Sequence, residues 1–147
     1  MSSVLIIICV LAGGLLPLQA AMNTAVGAQT SGALFATAVN FGIGLIALGV
    51  LLPVLKTPWP SAAQFSAIPW WAWFGGCCGI AVVFTILEAA PRLGASVAFA
   101  AIIAGQVGTS LLFDVLGLLN HAPQPLTPGR MAGAVLLVTG VVLIRKF

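Results

Sequence analysis

The chain carries two acidic side chains, Glu88 and Asp114, and both fall in stretches otherwise too apolar for water. Gln106, Ser110 and Asp114 recur every four residues, which on a helix sets them along one slowly turning face. A carboxylate on such a face can take up and release a proton or cation, so Asp114 is a candidate for proton or ion coupling; left unpaired in hydrocarbon it would be costly. Glu88 is the second candidate for that role. Arg92 stands at i+4 from it, in the favourable order for an ion pair, with Pro91 between them. Uncharged groups supply the rest. Gln19 and Asn23 are again four apart, just after Pro17, whose ring removes a backbone bond to Gly13 and predicts a bend. Asn40 shares its side of a helix with Thr37 and Gly44. Gln19, Asn40 and Gln106 are read as substrate-binding residues around one cavity. The same amides also suit plain interhelical hydrogen bonds, which in membranes are worth about 0.5–2 kcal/mol each.

Other chemistry is not expected. Catalysis needs a paired carboxylate motif, a metal cluster or a nucleophile with its base, and none of these patterns is present, so the chain is not read as an enzyme. Cys9, Cys77 and Cys78 show no paired spacing, and His121 is the one histidine. No metal site and no cofactor are therefore anticipated. The net charge is +3, from five scattered Lys and Arg, which form no basic stripe for nucleic acid.

The elements that must carry these residues are membrane helices. Charged residues make up 5% of the 147, hydrophobic ones 61%, and the first 55 residues hold no charged side chain. A helix rises about 1.5 Å per residue, so about 20 apolar residues cross roughly 30 Å of hydrocarbon. Five runs qualify: 4–26, 32–55, 71–90, 94–119 and 128–144. Each is about twice the length that a tilted barrel strand needs and none alternates, so the fold class is all-α, a polytopic membrane protein with five transmembrane helices in one domain, 1–147. A cleaved signal peptide is the rival reading of the first run, but Met1-Ser2-Ser3 is no basic n-region and the run outlasts an h-region.

Five spans put the termini on opposite sides of the bilayer. Lys56 and Arg130 then lie on the N-terminal side; Arg92, Arg145 and Lys146 lie on the other. Two against three is hardly an asymmetry, and orientation depends on one. The chain is expected to sit C-terminus-in by a thin margin or to insert both ways. Trp59, Trp70, Trp71 and Trp73 gather around the loop from Lys56 to Pro69 and mark a membrane interface, with an aromatic cage as the alternative.

Helices in lipid associate by close backbone approach, which small residues permit. Gly75 and Gly79 are four apart, as are Gly129 and Gly133, and Gly140 follows Gly133 by seven. Ser96, Ala100, Ala104 and Gly108 form a small ridge on the fourth span. Gly75, Gly79, Ala104, Gly108, Gly133 and Gly140 are read as packing residues, whether within the chain or against a second one.

The order of these features resembles the YdcZ-type branch of the drug/metabolite transporter superfamily, whose members are five-span, half-size proteins. The likeness runs through Gln19, Asn40, Trp73-Phe74-Gly75-Gly76 with Gly79, Pro91-Arg92-Leu93-Gly94-Ala95, Gly105-Gln106, Asp114 with Gly117, and Gly133 with Gly140. Ten-span relatives are built as two inverted five-helix halves, so the resemblance implies one half of an inverted-repeat transporter. Its partners would be the lipid bilayer, a small-molecule solute, and either an antiparallel homodimer or a paired five-span homologue. Near-balanced loop charge is what dual topology requires. The implied function is secondary transport, export of a small organic metabolite or drug, in the inner (plasma) membrane of a bacterium. The alternative is a non-transporting membrane subunit supporting another complex. The small multidrug resistance relatives use a carboxylate in their first span; none stands there in this chain, so their exchange mechanism does not carry over.

Overall fold

The computed structural model describes residues 2–118 and 122–147. Its long elements are helices: α1 (Ser2–Ala28), α2 (Ala33–Val54), a short α3 (Ala62–Ser66), a 3-10 turn (Trp70–Phe74), α4 (Gly75–Leu93), α5 (Ala95–Leu116) and α6 (Pro128–Lys146). Five of these segments are long and apolar enough to cross a membrane: Ser3–Ala28, Ala33–Val54, Trp70–Leu93, Ala95–Leu116 and Pro128–Lys146. The five expected runs match them closely, because span length is dictated by bilayer thickness and not by any motif.

Two span ends differ from expectation: the third span was expected to end at Ala90, but α4 continues through Pro91 to Leu93. The fourth span was expected to reach Leu119, but α5 stops at Leu116, where Gly117 takes φ 66°. That left-handed backbone is open to glycine at little cost and ends a helix sharply. Leu119 and His121, which the expectation placed at the end of this span and in the following loop, lie outside the described residues. The loop after α2, from Lys56 to Pro69, contains α3. Ser61 caps it: its side chain accepts from the Gln64 backbone N–H, and the Gln64 side chain accepts from the Ser61 N–H. This reciprocal pair is the capping box of a helix start. Phe65 of α3 stacks on Trp73 at 6.0 Å between ring centroids, and Trp70 meets Phe74 edge-on at 6.2 Å.

The helices fall into two compact units, Met1–Glu88 and Ala89–Phe147. In the first, α1 and α2 pack as an antiparallel pair. Gly27, near the end of α1, lies so close to the turn that an added Cβ would sit 3.4 Å from the Gly32 carbonyl. Ala36 and Thr37 follow one turn later and are fully buried. The Thr37 hydroxyl, which would be costly unpaired at that depth, donates to the Ala33 carbonyl at 2.8 Å. On α4, Gly79 admits the ring of Phe41 from α2, so that a Cβ would stand 3.1 Å from Phe41 Cζ.

In the second unit α4 and α5 are joined at Gly94, whose φ of 89° suits glycine. Helices α5 and α6 pack together. Thr127 caps α6 by accepting from the Arg130 N–H, and Pro128 occupies the first turn, where its missing N–H costs nothing. Buried residues of α5 are Ala98 and Phe99.

Of the six glycines and alanines expected to pack, Gly79 makes a close contact within its unit and Ala104 is half-buried. An added Cβ at Gly75, Gly108, Gly133 or Gly140 meets open space. Nothing among the described residues of this chain approaches these four closely, which bears on packing within the chain and not on packing against a second one.

Candidate polar cleft between the first two helices

Apolar side chains fill most of the α1 and α2 surfaces, so each polar group there stands out against its surroundings. Gln19 and Asn23 project from one face of α1 because they are a helical turn apart. Asn40 comes from α2. Gln19 Nε2 donates to Asn40 Oδ1 at 3.0 Å, joining two residues that are 21 apart in sequence. This bond ties the two helices at the border of two clefts. One, of about 370 Å³, is lined by Leu15, Leu18, Gln19, Met22, Asn23 and Val26 of α1 and by Val39, Asn40 and Ile43 of α2. The other, of about 570 Å³, shares Gln19 and Asn40 and continues along Phe41, Gly44, Leu45 and Leu48 to Val83 of α4.

The polar equipment of this region is three carboxamides. A primary amide has two donors and an acceptor with two lone pairs. The Gln19–Asn40 bond uses one donor and one lone pair, and leaves further donors and acceptors on both side chains. Asn23 differs from its neighbours: it is 7% exposed, and its Nδ2 is buried without a hydrogen-bond partner among the described residues. Such a donor costs about 1–3 kcal/mol when left unmade. The residue was visible in the sequence as the i+4 neighbour of Gln19, yet it was not among the expected binding residues. The signal that would have picked it out is that shared face.

Of the three expected binding residues, the structure brings Gln19 and Asn40 together. Gln106 belongs to the second unit and is exposed on α5.

The carboxylates are placed differently. With α5 ending at Leu116, Asp114 lies in its last turn and not deep in a longer span. Its side chain forms an ion pair with Arg130 in the first turn of α6. The same Arg130 reaches the Pro125 carbonyl at 3.5 Å, and the Asp114 backbone carbonyl accepts from Gln124 at 2.8 Å. The sequence offered no sign of this pairing, since Arg130 read as a loop charge. Glu88 is half-buried near the end of α4, and both it and Arg92 have partners. Cys9, Cys77 and Cys78 are free thiols exposed on helix surfaces.

Five membrane-length helices, with carboxamides in an otherwise apolar cleft between two of them, describe a polytopic membrane protein. The chain belongs to the YdcZ family: the model described as "Putative inner membrane exporter, YdcZ" matches residues 4–143, nearly the whole length. It is thus a multi-pass protein of the inner membrane and a membrane transporter by family. No curated protein and no solved structure matches the chain.

Proposed function

We propose that this chain is a half-size secondary transporter that exports a small organic metabolite or drug, with the cleft at Gln19 and Asn40 as part of the solute site. The observation that carries the reading is the Gln19–Asn40 bond itself, which sets paired amides at the border of two clefts between α1 and α2. Amides fix the orientation of a solute in an otherwise apolar site without the expense of burying a charge. The working form is an antiparallel dimer, in which two five-helix halves rock about a shared site. Two Lys/Arg against three across the membrane favour such pairing, because neither orientation is strongly preferred. Asp114 is the carboxylate assigned to proton coupling, with release of Arg130 as the accompanying change.

The test is flux in vesicles reconstituted with the purified protein, loaded with a panel of neutral and cationic organic solutes. Gln19→Leu and Asn40→Leu should remain folded and lose export of whichever solute the wild type moves. Export at the wild-type rate by both variants would remove the cleft from the pathway. Absence of flux for every solute would favour the non-transporting membrane subunit.

A further inference from the structure

We infer that the cleft takes an uncharged solute carrying a hydrogen-bond acceptor, such as a carbonyl or ether oxygen, and that Asn23 is the residue that receives it. The inference rests on the reading of this cleft as the solute site and adds the class of solute. Three observations on α1 and α2 meet here. Asn23 lines the 370 Å³ cleft while being 7% exposed, and its Nδ2, covered by neighbouring atoms, has no partner among the described residues, so an acceptor reaches it as the side chains around it yield. A buried donor without an acceptor is rare in folded proteins and asks for one from outside the chain. Gln19, one turn away, and Asn40 are bonded to each other, so Asn23 is the one of the three amides whose buried donor has no partner among the described residues.

The second observation is charge. The residues around both clefts are apolar or carboxamide, with no ionised side chain among them. A cation entering this space would lose its hydration without gaining a counter-ion, which is strongly unfavourable. A neutral solute loses little. The third is shape: Leu15, Met22, Val39 and Ile43 offer an apolar wall along which the body of the solute can lie, with Met22 able to adapt to irregular outlines. On its other side Asn23 borders a void of about 10 Å³ against Val83, Ile86 and Leu87, room for about one water molecule. Water is therefore the competing partner for Asn23, and the test separates it from a solute.

Three probes share one skeleton: acetophenone, with a carbonyl acceptor; α-methylstyrene, in which a methylene replaces that oxygen; and α-methylbenzylammonium, the cation. Equilibrium dialysis against the full-length protein in lipid nanodiscs, with empty discs subtracted, measures what the protein retains. Acetophenone should be retained about tenfold more than α-methylstyrene, the worth of one hydrogen bond to a buried donor. The ammonium should not exceed empty discs. Asn23→Leu and Asn23→Ala should bind ketone and alkene alike while melting no lower than the wild type, since each removes an unpaired donor and not a bond. Should both variants misfold, the wild-type comparison alone decides. Equal retention of ketone and alkene, no retention of either, or preferential binding of the ammonium overturns the inference and leaves water as the partner of Asn23. Loss of flux in Gln19→Leu without ketone preference would spare the transport reading and sink only this one. Ketone preference with unaltered flux in that variant would do the reverse.

Discussion

Asp114 and Arg130, sixteen residues apart, form an ion pair that closes the end of the α5–α6 hairpin. Their side chains are 28% and 25% exposed for Arg130 and Asp114, which places the pair between the weak surface kind and the fully buried kind. Removing one member by Asp114→Leu should destabilise the protein by about 1–3 kcal/mol, between the two limits. The exchanged variant Asp114→Arg with Arg130→Asp should recover most of that loss in thermal melts. A purely structural pair would recover proton-dependent export along with stability, whereas a coupling carboxylate at Asp114 would not tolerate relocation to position 130. Asp114→Asn that assembles normally and keeps the wild-type flux and pH dependence would end the coupling assignment.

The contact of Gly79 with Phe41 makes a graded prediction. Gly79→Ala asks the ring to yield by a few tenths of an ångström and should lower melting slightly. Gly79→Leu cannot be accommodated without separating α2 from α4, and overpacking of that kind costs about 1–3 kcal/mol. Phe41→Ala should restore much of the loss in the Gly79→Leu background. Unchanged melting for Gly79→Leu alone would mean that the close approach is not present in the membrane.

Gly108 on α5 and Gly133 on α6 behave oppositely, because a side chain there meets open space. Gly108→Leu and Gly133→Leu should leave the monomer fold intact, as judged by melting and gel filtration. If these positions face a second copy, dimer yield in mild detergent should fall at least severalfold, since association in lipid depends on close backbone approach. Undiminished dimer for both would assign these positions to lipid.

Topology reporters fused after Phe147 should report from both sides of the membrane, as expected for two Lys/Arg against three. Two further Lys beside Arg145 should hold the C-terminus in the cytoplasm. A wild-type signal from one side only would exclude dual insertion and leave a paired homologue as the other half.

The five spans were legible from the sequence because the signal is physical and repeated: each helix must match the same hydrocarbon thickness. The corrections come from local chemistry that hydropathy does not register. Gly117 ends α5 through a left-handed cap, and Ser61 with Gln64 starts α3 in what read as a plain loop. Gln19 and Asn40 were singled out because amides are conspicuous among aliphatic residues, and their direct bond followed. Asn23 was as conspicuous, but only burial distinguishes a donor with no partner from one facing a neighbour. The pairing of Arg130 with Asp114 escaped for a related reason. Counting it as a topological charge says nothing about which carboxylate lies within its reach, and that depends on where α5 stops.

The anchoring of the α5–α6 connection to Asp114 bears on how the protein is made. The carboxylate holds Arg130 while the backbone carbonyl of the same residue accepts from Gln124, so one position ties both the charge and the chain of this turn. A hairpin fastened in this way can enter the bilayer as a single object. In one of the two orientations proposed for the chain its tip has to traverse the hydrocarbon. A pair that has already cancelled its own charge traverses far more readily than a bare guanidinium. The ion pair would then ease biogenesis in the C-terminus-in orientation, the one in which Arg130 must cross, a burden that falls on the cell's insertion machinery before any solute is carried.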